Sequence, residues 1–452
     1  MPALAPTRGW STVLRVGRDL AWAVPAGALA ALVAMRWPGA VAALGRNIPQ
    51  PAIVPDYVAG CLWALALGLS IRVWPVRPAD RVLLAFAWAV RCCVTLGFML
   101  TYEWNYEVLD TYGYFDVGRA GGPDTGTLHI GGGTENITAL VALHSRLGLP
   151  YYHAVKVTFS LFGFIGVYLL YRGAVRVLGR ESVALFALLT LWPSILFWSS
   201  ILGKDPVAFL GIATYVYGVL AWYDRRRPSS LAVVAVGVVV AMSIRLWLAP
   251  ILIAPLGLLL TRSIKERTAR WTAATAAVLG MAAAVYAVRD MLIVETVGEL
   301  LSTIDAVSRG WSEGGSGQQV TADLTTPAGL LAFLPRGVFT ALFRPLPGEV
   351  NNLFGLLAGL ESAVLVVLLG LSIVRTSWRD LAHPLVQWAL VLIVCWSGVY
   401  SVLSYQNLGT AVRFKLQILP VLLGTLVLLA RRRGPSAPSL GGPAPATGAS
   451  PV

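Results

Sequence analysis

Residues 353–374 read LFGLLAGLESAVLVVLLGLSIV, and Glu361 is the single charged residue among them. A helix of about 20 apolar residues crosses the hydrocarbon core of a bilayer, so this stretch predicts a membrane span. The rest of the chain has the same character, because 57% of its 452 residues are hydrophobic and 13% are charged. Soluble domains carry about 25% charged residues. The composition therefore excludes a soluble globular protein and predicts an all-α, polytopic bundle of transmembrane helices.

Similar apolar segments recur along the chain and predict about twelve membrane spans. Short connections between them carry most of the 35 Lys and Arg residues, and these connections fall on alternate faces of the predicted bundle. Because short cytoplasmic loops are enriched in Lys and Arg, we expect these faces, and both termini, to be cytoplasmic. The predicted spans lie near residues 20–36, 56–74, 82–101, 152–171, 182–202, 206–223, 229–244, 246–261, 271–288, 353–374, 384–403 and 414–430.

The orientation of the second half depends on residues 229–261, which could form one overlong span or two short ones. Three arginines at 225–227 precede this stretch, and a basic run at 262–270 follows it. Both groups favour the cytoplasm. The segment is therefore predicted to cross outward and return, with its turn near Ser243–Arg245.

The spans leave two longer segments on the outer face, and both loops are predicted to carry interfacial helices. In the second loop, apolar residues at helical spacing over 293–307 predict a helix along the membrane interface. The predicted regions are a cytoplasmic basic tail (1–19), spans one to three (20–101), the first outer loop (102–151), spans four to nine (152–288), the second outer loop (289–352), spans ten to twelve (353–430) and a disordered cytoplasmic tail (431–452).

The formal charge of +13 follows from this orientation and does not indicate nucleic acid, because the basic residues lie in short groups between apolar segments. No glycine-rich nucleotide-binding loop follows a strand pattern. The four cysteines and four histidines lack the spacing of a metal site. The abundance of Arg and Ala is typical of a high-GC bacterial genome. We therefore expect a multi-pass protein of the bacterial cytoplasmic membrane, with the lipid bilayer as its partner.

The first outer loop begins with four carboxylates and five aromatic residues between positions 103 and 116. A carboxylate at the membrane surface can act as a general base toward a hydroxyl group. Asp110, Asp116 and Glu107 are the candidate catalytic residues, and Tyr114 is expected to pack on a substrate. The alternative is an aromatic belt with solvated acids, which outer loops commonly carry.

Six cations are predicted on the outer face and could bind a phosphate through charge-assisted hydrogen bonds. Lys204 is followed by Asp205 in a tight turn between spans five and six, and mutual neutralisation is the simpler explanation of that pair. Snorkelling to lipid headgroups is the common fate of any one such cation. The candidate phosphate-binding residues are Lys204, Arg245, Arg336, Arg344, Arg413 and Lys415, with Asp205 beside them.

Two charges fall inside predicted spans, Arg91 in the third and Glu361 in the tenth. An unpaired charge at the membrane centre costs at least about 2.5–3.5 kcal/mol. Both side chains are therefore predicted to face the bundle interior and to pair with each other.

The segment from about 80 to 225 resembles the GT-C membrane glycosyltransferases. Asp110-Thr-Tyr-Gly-Tyr114 is similar to the acidic outer-loop motif of that family, and Lys204-Asp205 is similar to its second charged turn. The resemblance implies an outer-face enzyme that takes a sugar from a polyprenyl-phosphate carrier with an acidic residue as base, in some relatives with a divalent metal ion. Here the acidic loop follows the third predicted span, whereas in the family it follows the first.

The C-terminal part resembles uncharacterised polysaccharide-locus membrane proteins over 333–349 and 405–415, and no reaction follows from that likeness. Three functions remain as hypotheses. The first is a glycosyltransferase of cell-envelope glycan synthesis, which moves a sugar from polyprenyl phosphate to a glycan or lipid acceptor. The second is a lipid-linked polysaccharide polymerase or ligase, which would depend more on the outer arginines. The third is a transporter or flippase, against which the sequence shows no inverted repeat.

Overall fold

A computed structural model describes residues 35–121, 127–292, 297–310, 312, 316–320 and 322–431. Within these residues the regular structure is helical, apart from one β-bridge between Gly317 and Asn407. The helices are α1 (Ile53–Ser70), α2 (Pro78–Cys92), α3 (Met99–Asn105), α4 (Asp110–Ala120), α5 (Gly133–Arg146), α6 (Tyr152–Leu178), α7 (Val183–Leu191), α8 (Pro193–Trp198), α9 (Lys204–Arg225), α10 (Pro228–Ile244), α11 (Leu248–Ser263), α12 (Arg267–Leu292), α13 (Val297–Gly310), α14 (Pro327–Phe343), α15 (Leu353–Arg375), α16 (Trp378–Leu381), α17 (Pro384–Leu403), α18 (Leu408–Lys415) and α19 (Leu419–Ala430).

Six helical segments in the described part of the chain are long and apolar enough to cross a membrane. At 1.5 Å per residue, a helix of about 20 residues spans 30 Å, and these segments reach or exceed that length. They correspond to the second, third, fourth, sixth, tenth and eleventh predicted spans. The segments are Ile53–Val73, Pro78–Asn105, Tyr152–Leu178, Lys204–Arg225, Leu353–Arg375 and Pro384–Leu403. The all-helical membrane fold is therefore confirmed, whereas the count of twelve spans is not.

The other predicted spans take different forms. The seventh and eighth form the short apolar helices α10 and α11, which turn at 245–247. The twelfth is a bent pair, because α18 and α19 meet at 74°. The ninth lies within α12, and the first lies almost wholly in residues 1–34, outside the described residues, as does the C-terminal tail from residue 432.

The fifth predicted span, 182–202, is broken into α7 and the short helix α8. Pro193 lacks a backbone N–H and disfavours helical geometry at the residue before it. Trp192 accordingly has an extended backbone, with φ −61° and ψ 119°. The chain then leaves α8 at Ser199 and begins α9 at Lys204.

The segment predicted as the second outer loop also departs in part from its prediction. The amphipathic stretch 293–307 is a helix, α13, from Val297 onward, and residues 293–296 lie outside the described part. The proline-rich stretch after it forms the 17-residue helix α14, with Pro327 at its first turn and Pro335 inside it.

The centre of the bundle consists of α6, α9 and α10, and glycines let α9 and α10 lie very close together. A Cβ atom at Gly237 would lie 2.3 Å from the backbone nitrogen of Tyr215. One at Gly211 would lie 2.6 Å from the backbone nitrogen of Ala241. Small residues allow membrane helices to approach to backbone contact. This packing fixes the first turn of α9 relative to the turn that follows α10, and the candidate site lies there.

Candidate functional site

Four charged side chains from separate segments meet at the end of the bundle where α9 begins; we call them the Asp205 cluster. Arg245 Nη2 donates to Asp205 Oδ1 at 3.2 Å, and Arg413 Nε donates to the other carboxylate oxygen. Arg413 also donates from Nη1 to Asp110 Oδ2 at 3.1 Å. The cluster therefore links the first turn of α4, the first turn of α9, the α10–α11 turn and the last turn of α18.

The members of the Asp205 cluster differ sharply in exposure. The Asp205 side chain is 1% exposed and the Arg245 side chain 6%, whereas the Asp110 side chain is 60% exposed. A buried charge is tolerated when it is paired and hydrogen-bonded, and Asp205 accepts from two guanidinium groups. Phe414 lies 4.1 Å from the Arg245 guanidinium carbon and adds a cation–π contact. The cluster thus contains one buried carboxylate, Asp205, with a donor on each oxygen, and one carboxylate, Asp110, that is open to solvent.

Lys204 lies beside the cluster and makes no direct ion pair with any residue that the structure describes. Its ammonium group is 5.8 Å from the ring centre of Tyr114, and within the described residues it forms no ion pair. Burial raises the pKa of Tyr114 to about 12, with a further contribution from the charge of Asp110. The Tyr114 hydroxyl is therefore neutral at physiological pH and can donate a hydrogen bond. Lys204 has unused capacity for an anion.

The start of α5 packs against the end of α10, next to the α10–α11 turn that carries Arg245. Asn136 donates from Nδ2 to the carbonyl of Ser243 at 2.7 Å. Gly133 packs so closely that a Cβ atom there would lie 2.4 Å from the carbonyl oxygen of Ile244 and 3.5 Å from Lys204 Cε. The glycine is needed for this close approach, which holds the start of α5 against the Asp205 cluster.

A cavity of about 480 Å³ adjoins the Asp205 cluster, and Arg413 lines it. Its walls come from the π-helical segment Cys93–Phe98 and α3, from α8, from the N-terminal half of α15 and from α18. Most of the wall is apolar, and Glu361 and Ser194 provide a polar patch. The aromatic residues that line it are Phe98, Tyr102, Tyr106, Phe197, Trp198 and Phe354, most of them in edge or tilted ring contacts with one another.

The two intramembrane charges have different partners from the expected ion pair. Arg91 faces the interior and is fully buried, but it donates to Ser199 and Ser200. Glu361 accepts from the backbone N–H and the hydroxyl of Ser194. The expectation that the two would pair was wrong, because each binds groups at one end of α8. Glu361 binds the N–H and hydroxyl of Ser194, and Arg91 binds the carbonyl of Ser199 and the hydroxyls of Ser199 and Ser200.

The remaining predicted residues lie outside the Asp205 cluster. Glu107, Asp116 and Arg336 are exposed and make no hydrogen bond or ion pair in the described part of the chain. Arg344 pairs with Glu349 at 2.8 Å. Lys415 is buried and donates to the carbonyl of Arg344 at 3.0 Å. Of the three candidate bases, Asp110 alone contacts a candidate phosphate-binding cation.

A second buried group of charges was missed by the sequence analysis; we call it the Glu103 network. Lys156 Nζ donates to Glu103 Oε2 at 2.8 Å, and the hydroxyl of Tyr152 donates to Glu103 Oε1 at 2.7 Å. Nearby, His153 Nδ1 and Asp56 form a hydrogen-bonded pair. The signal was present in the sequence, because Lys156 is a charge inside the predicted fourth span and Asp56 is one inside the second.

The arrangement of potential ligand side chains among the described residues does not indicate a metal-binding site. Among the residues that the structure describes, no three His, Cys, Asp or Glu side chains are close enough together to hold one. The acids of the Asp205 cluster are paired with guanidinium groups instead. No known protein family matches the chain, and comparisons with curated proteins and with solved structures found no significant match.

Proposed function

We propose that this protein is a membrane glycosyltransferase that moves a sugar from a polyprenyl-phosphate carrier to a glycan or lipid acceptor. The reaction would take place on the outer face of the bacterial cytoplasmic membrane. The observation that carries the proposal is the contact between an exposed carboxylate, Asp110, and a phosphate-competent cation, Arg413. Lys204, which forms no ion pair with a described residue, lies beside them. The resemblance of 110–114 and 204–205 to the GT-C enzymes supports the same assignment.

The chemistry assigns a role to each group. The acceptor hydroxyl oxygen attacks the anomeric carbon of the sugar, and its proton passes to Asp110 as general base. The bond between the anomeric carbon and the phosphate oxygen breaks, and the carrier phosphate leaves with the bonding electrons. Cations aimed at the developing charge stabilise it, and Arg413 and Lys204 are placed for that role. Before this transfer, on binding of the donor, Arg413 would exchange the Asp110 carboxylate for the carrier phosphate, which frees Asp110 to accept the proton.

The adjoining cavity suits the carrier rather than the sugar. Its wall is largely aromatic and aliphatic, and Arg413 lines it. A phosphate held by Arg413 would place the first isoprenoid units against the Phe197 and Phe354 rings. Burial of apolar chain surface contributes about 25 cal/mol per Å², so the cavity would favour a lipid-linked donor over a soluble nucleotide sugar.

Complementation of a deletion strain tests the proposal. Asp110→Asn should lower transfer of the lipid-linked sugar by about 100-fold or more, since loss of a general base has effects of that size. Asp116→Asn is the matched control, because Asp116 lies on the same helix, is exposed and is outside the Asp205 cluster. The measurement is the amount of lipid-linked sugar and glycosylated product in membranes. Full activity of Asp110→Asn would remove the proposed base.

A polymerase or ligase of the same lipid-linked class would perform the same bond exchange with a glycan acceptor. That alternative rests on the outer arginines, and of these Arg245 and Arg413 share a partner in Asp205 whereas Arg336 stands apart. Equal loss of activity in Arg336→Ala and Arg413→Ala would favour it.

A transporter or flippase is the second candidate, because broken helices border the cavity. Discontinuous membrane helices commonly line the substrate site of transporters. Here α7–α8 is broken and α18–α19 is bent by 74°, and both α8 and α18 line the cavity. Movement of lipid-linked sugar across vesicle membranes without any new glycosidic bond would favour this function over transfer.

A further inference from the structure

The short helix α8 has a charged side chain from another helix at each of its ends. At the N-terminal end, Ser194 donates from its backbone nitrogen to Glu361 Oε1 at 2.6 Å and from its hydroxyl to the other oxygen. The first N–H groups of a helix have no partner within it. Glu361, from α15, therefore supplies an acceptor and a negative charge where the helix dipole is positive.

Arg91 makes the complementary contact at the other end. Its Nη1 donates to the carbonyl oxygen of Ser199 at 3.0 Å and to the hydroxyl of Ser200 at 3.2 Å. Ser199 is the residue that ends α8, so its carbonyl is among those left without a helical partner. A cation at a helix C-terminus also complements the negative end of the dipole.

We propose that Glu361 and Arg91 are positioning residues that act as one clamp on α8, and so hold the residues that follow it in their working position. The inference rests on the proposed function for its activity readout, but the clamp itself is a statement about α8. Between its two ends α8 carries Phe197 and Trp198 of the cavity wall. Only residues 199–203 separate it from Lys204 and Asp205.

The energetics favour a role beyond stability for Arg91. No carboxylate lies within ion-pair distance of it in the described part of the chain, and its Nε and Nη2 atoms are buried without a hydrogen-bond partner. Buried polar groups normally have partners, and a buried charge without a counter-ion is unfavourable. A residue with only a packing role at this position would be better served by an apolar side chain.

Cysteine labelling tests the clamp without reference to any substrate. Leu202→Cys, in a background with the native cysteines replaced by alanine, places a thiol at a position that is 0% exposed in the segment after α8. With the clamp intact, a water-soluble maleimide should label it slowly. Arg91→Met or Glu361→Ala should raise the labelling rate by about tenfold, because local opening becomes more frequent. An unchanged rate in both would overturn the proposal.

Conservative variants separate the clamp from general destabilisation. Arg91→Lys keeps a donor and a positive charge, and should restore slow labelling. Glu361→Gln keeps an oxygen acceptor for the Ser194 N–H but loses the charge, and should give an intermediate rate. A purely structural effect would instead make the labelling rate follow the melting temperature of each variant, whatever its charge. That outcome would also overturn the clamp.

The activity readout distinguishes failure of the clamp from failure of the proposed function. Arg91→Met should lower the turnover of lipid-linked sugar by about 100-fold, the scale of a displacement of about 1 Å in a catalytic group, with a smaller effect on KM. If Asp110→Asn is active while Arg91→Met still exposes Leu202→Cys, the clamp stands and the glycosyltransferase assignment falls. If Asp110→Asn is inactive while labelling and turnover are normal in Arg91→Met, the clamp falls alone.

Discussion

The Asp205 cluster and the Glu103 network are both groups of paired charges at the same end of the bundle, yet they differ in what remains available. In the Glu103 network, Glu103 and Lys156 are almost fully buried, and both carboxylate oxygens have donors. In the Asp205 cluster, the Asp110 side chain is 60% exposed, and the nearby Lys204 has no ion pair within the described part of the chain. Saturated charges stabilise the fold, whereas charges with unused capacity can bind and react.

The two groups are also connected. Tyr152, which donates to Glu103, has its hydroxyl 3.3 Å from the hydroxyl oxygen of Thr111, the neighbour of Asp110 in α4. The Glu103 network therefore lies beneath the helix that carries the candidate base. We expect substitutions in the network to act mainly on stability and those in the cluster mainly on activity.

Lys156→Met should give the largest loss of stability. It leaves the Glu103 carboxylate buried without its cation, and breaking a buried ion pair in this way costs about 3–5 kcal/mol. Unfolding in detergent micelles provides the measurement. The double variant Lys156→Met with Glu103→Leu removes both charges and should recover most of the loss. Wild-type stability of Lys156→Met alone would remove the distinction between the two groups.

Arg413→Ala should lower stability by a smaller amount and activity by a larger one. Asp205 keeps its bond to Arg245, and Asp110 is open to solvent, so we expect a loss of about 1.5–3 kcal/mol, the scale of a hydrogen bond to a charged group. Transfer should fall by about 100-fold or more, because the proposed phosphate contact is lost. Comparing unfolding and turnover on the same preparation separates the two effects.

Tyr114→Phe should reduce the loss of folding stability that occurs as the pH rises above 10. Burial and the charge of Asp110 raise the pKa of Tyr114 to about 12, above the value of about 10 for an exposed tyrosine. Its contribution is therefore fully present below pH 10 and is lost as the pH rises from 10 to 12. After allowance for solvent screening it is about 1–2 kcal/mol. Melting temperatures of both proteins between pH 9 and 12 give the comparison, since the other tyrosines are common to both.

Lys204→Met should leave stability nearly unchanged, within about 0.5 kcal/mol, because Lys204 forms no ion pair with a described residue. Under the proposed function, the same variant should still weaken binding of the lipid phosphate, seen as a raised KM. A large loss of stability would show that Lys204 has a structural role like that of Glu103 and Lys156.

The sequence predicts the membrane class and the candidates of the Asp205 cluster, because each charge lies at the end of an apolar segment. That pattern selects the four members of the cluster, Asp110, Asp205, Arg245 and Arg413, and also the neighbouring Lys204. Their mutual contact is not, since it depends on the turn at 245–247 and on the bend between α18 and α19. Asp116 and Arg336 satisfy the same sequence pattern, but their side chains are exposed and lie outside the Asp205 cluster.

The charges inside the spans show why pattern alone fails. The predicted pair of Arg91 and Glu361 rests on formal charges alone. Pro193 begins the short helix α8, and groups at its two ends, among them the Ser194 N–H and the Ser199 carbonyl, are the actual partners. Lys156 lies inside the fourth predicted span, so the argument that selects Arg91 and Glu361 applies to it equally.

The glycine contacts between α9 and α10 have a consequence for movement. Helices in backbone contact cannot rotate or slide past each other without a clash, so α9 and α10 are expected to move as a single rigid unit. Asp205 and Arg245 lie at the same end of that unit and would keep their separation throughout a working cycle. Opening and closing around a bound molecule would then come from the side of α18, which carries Arg413 and meets α19 at 74°.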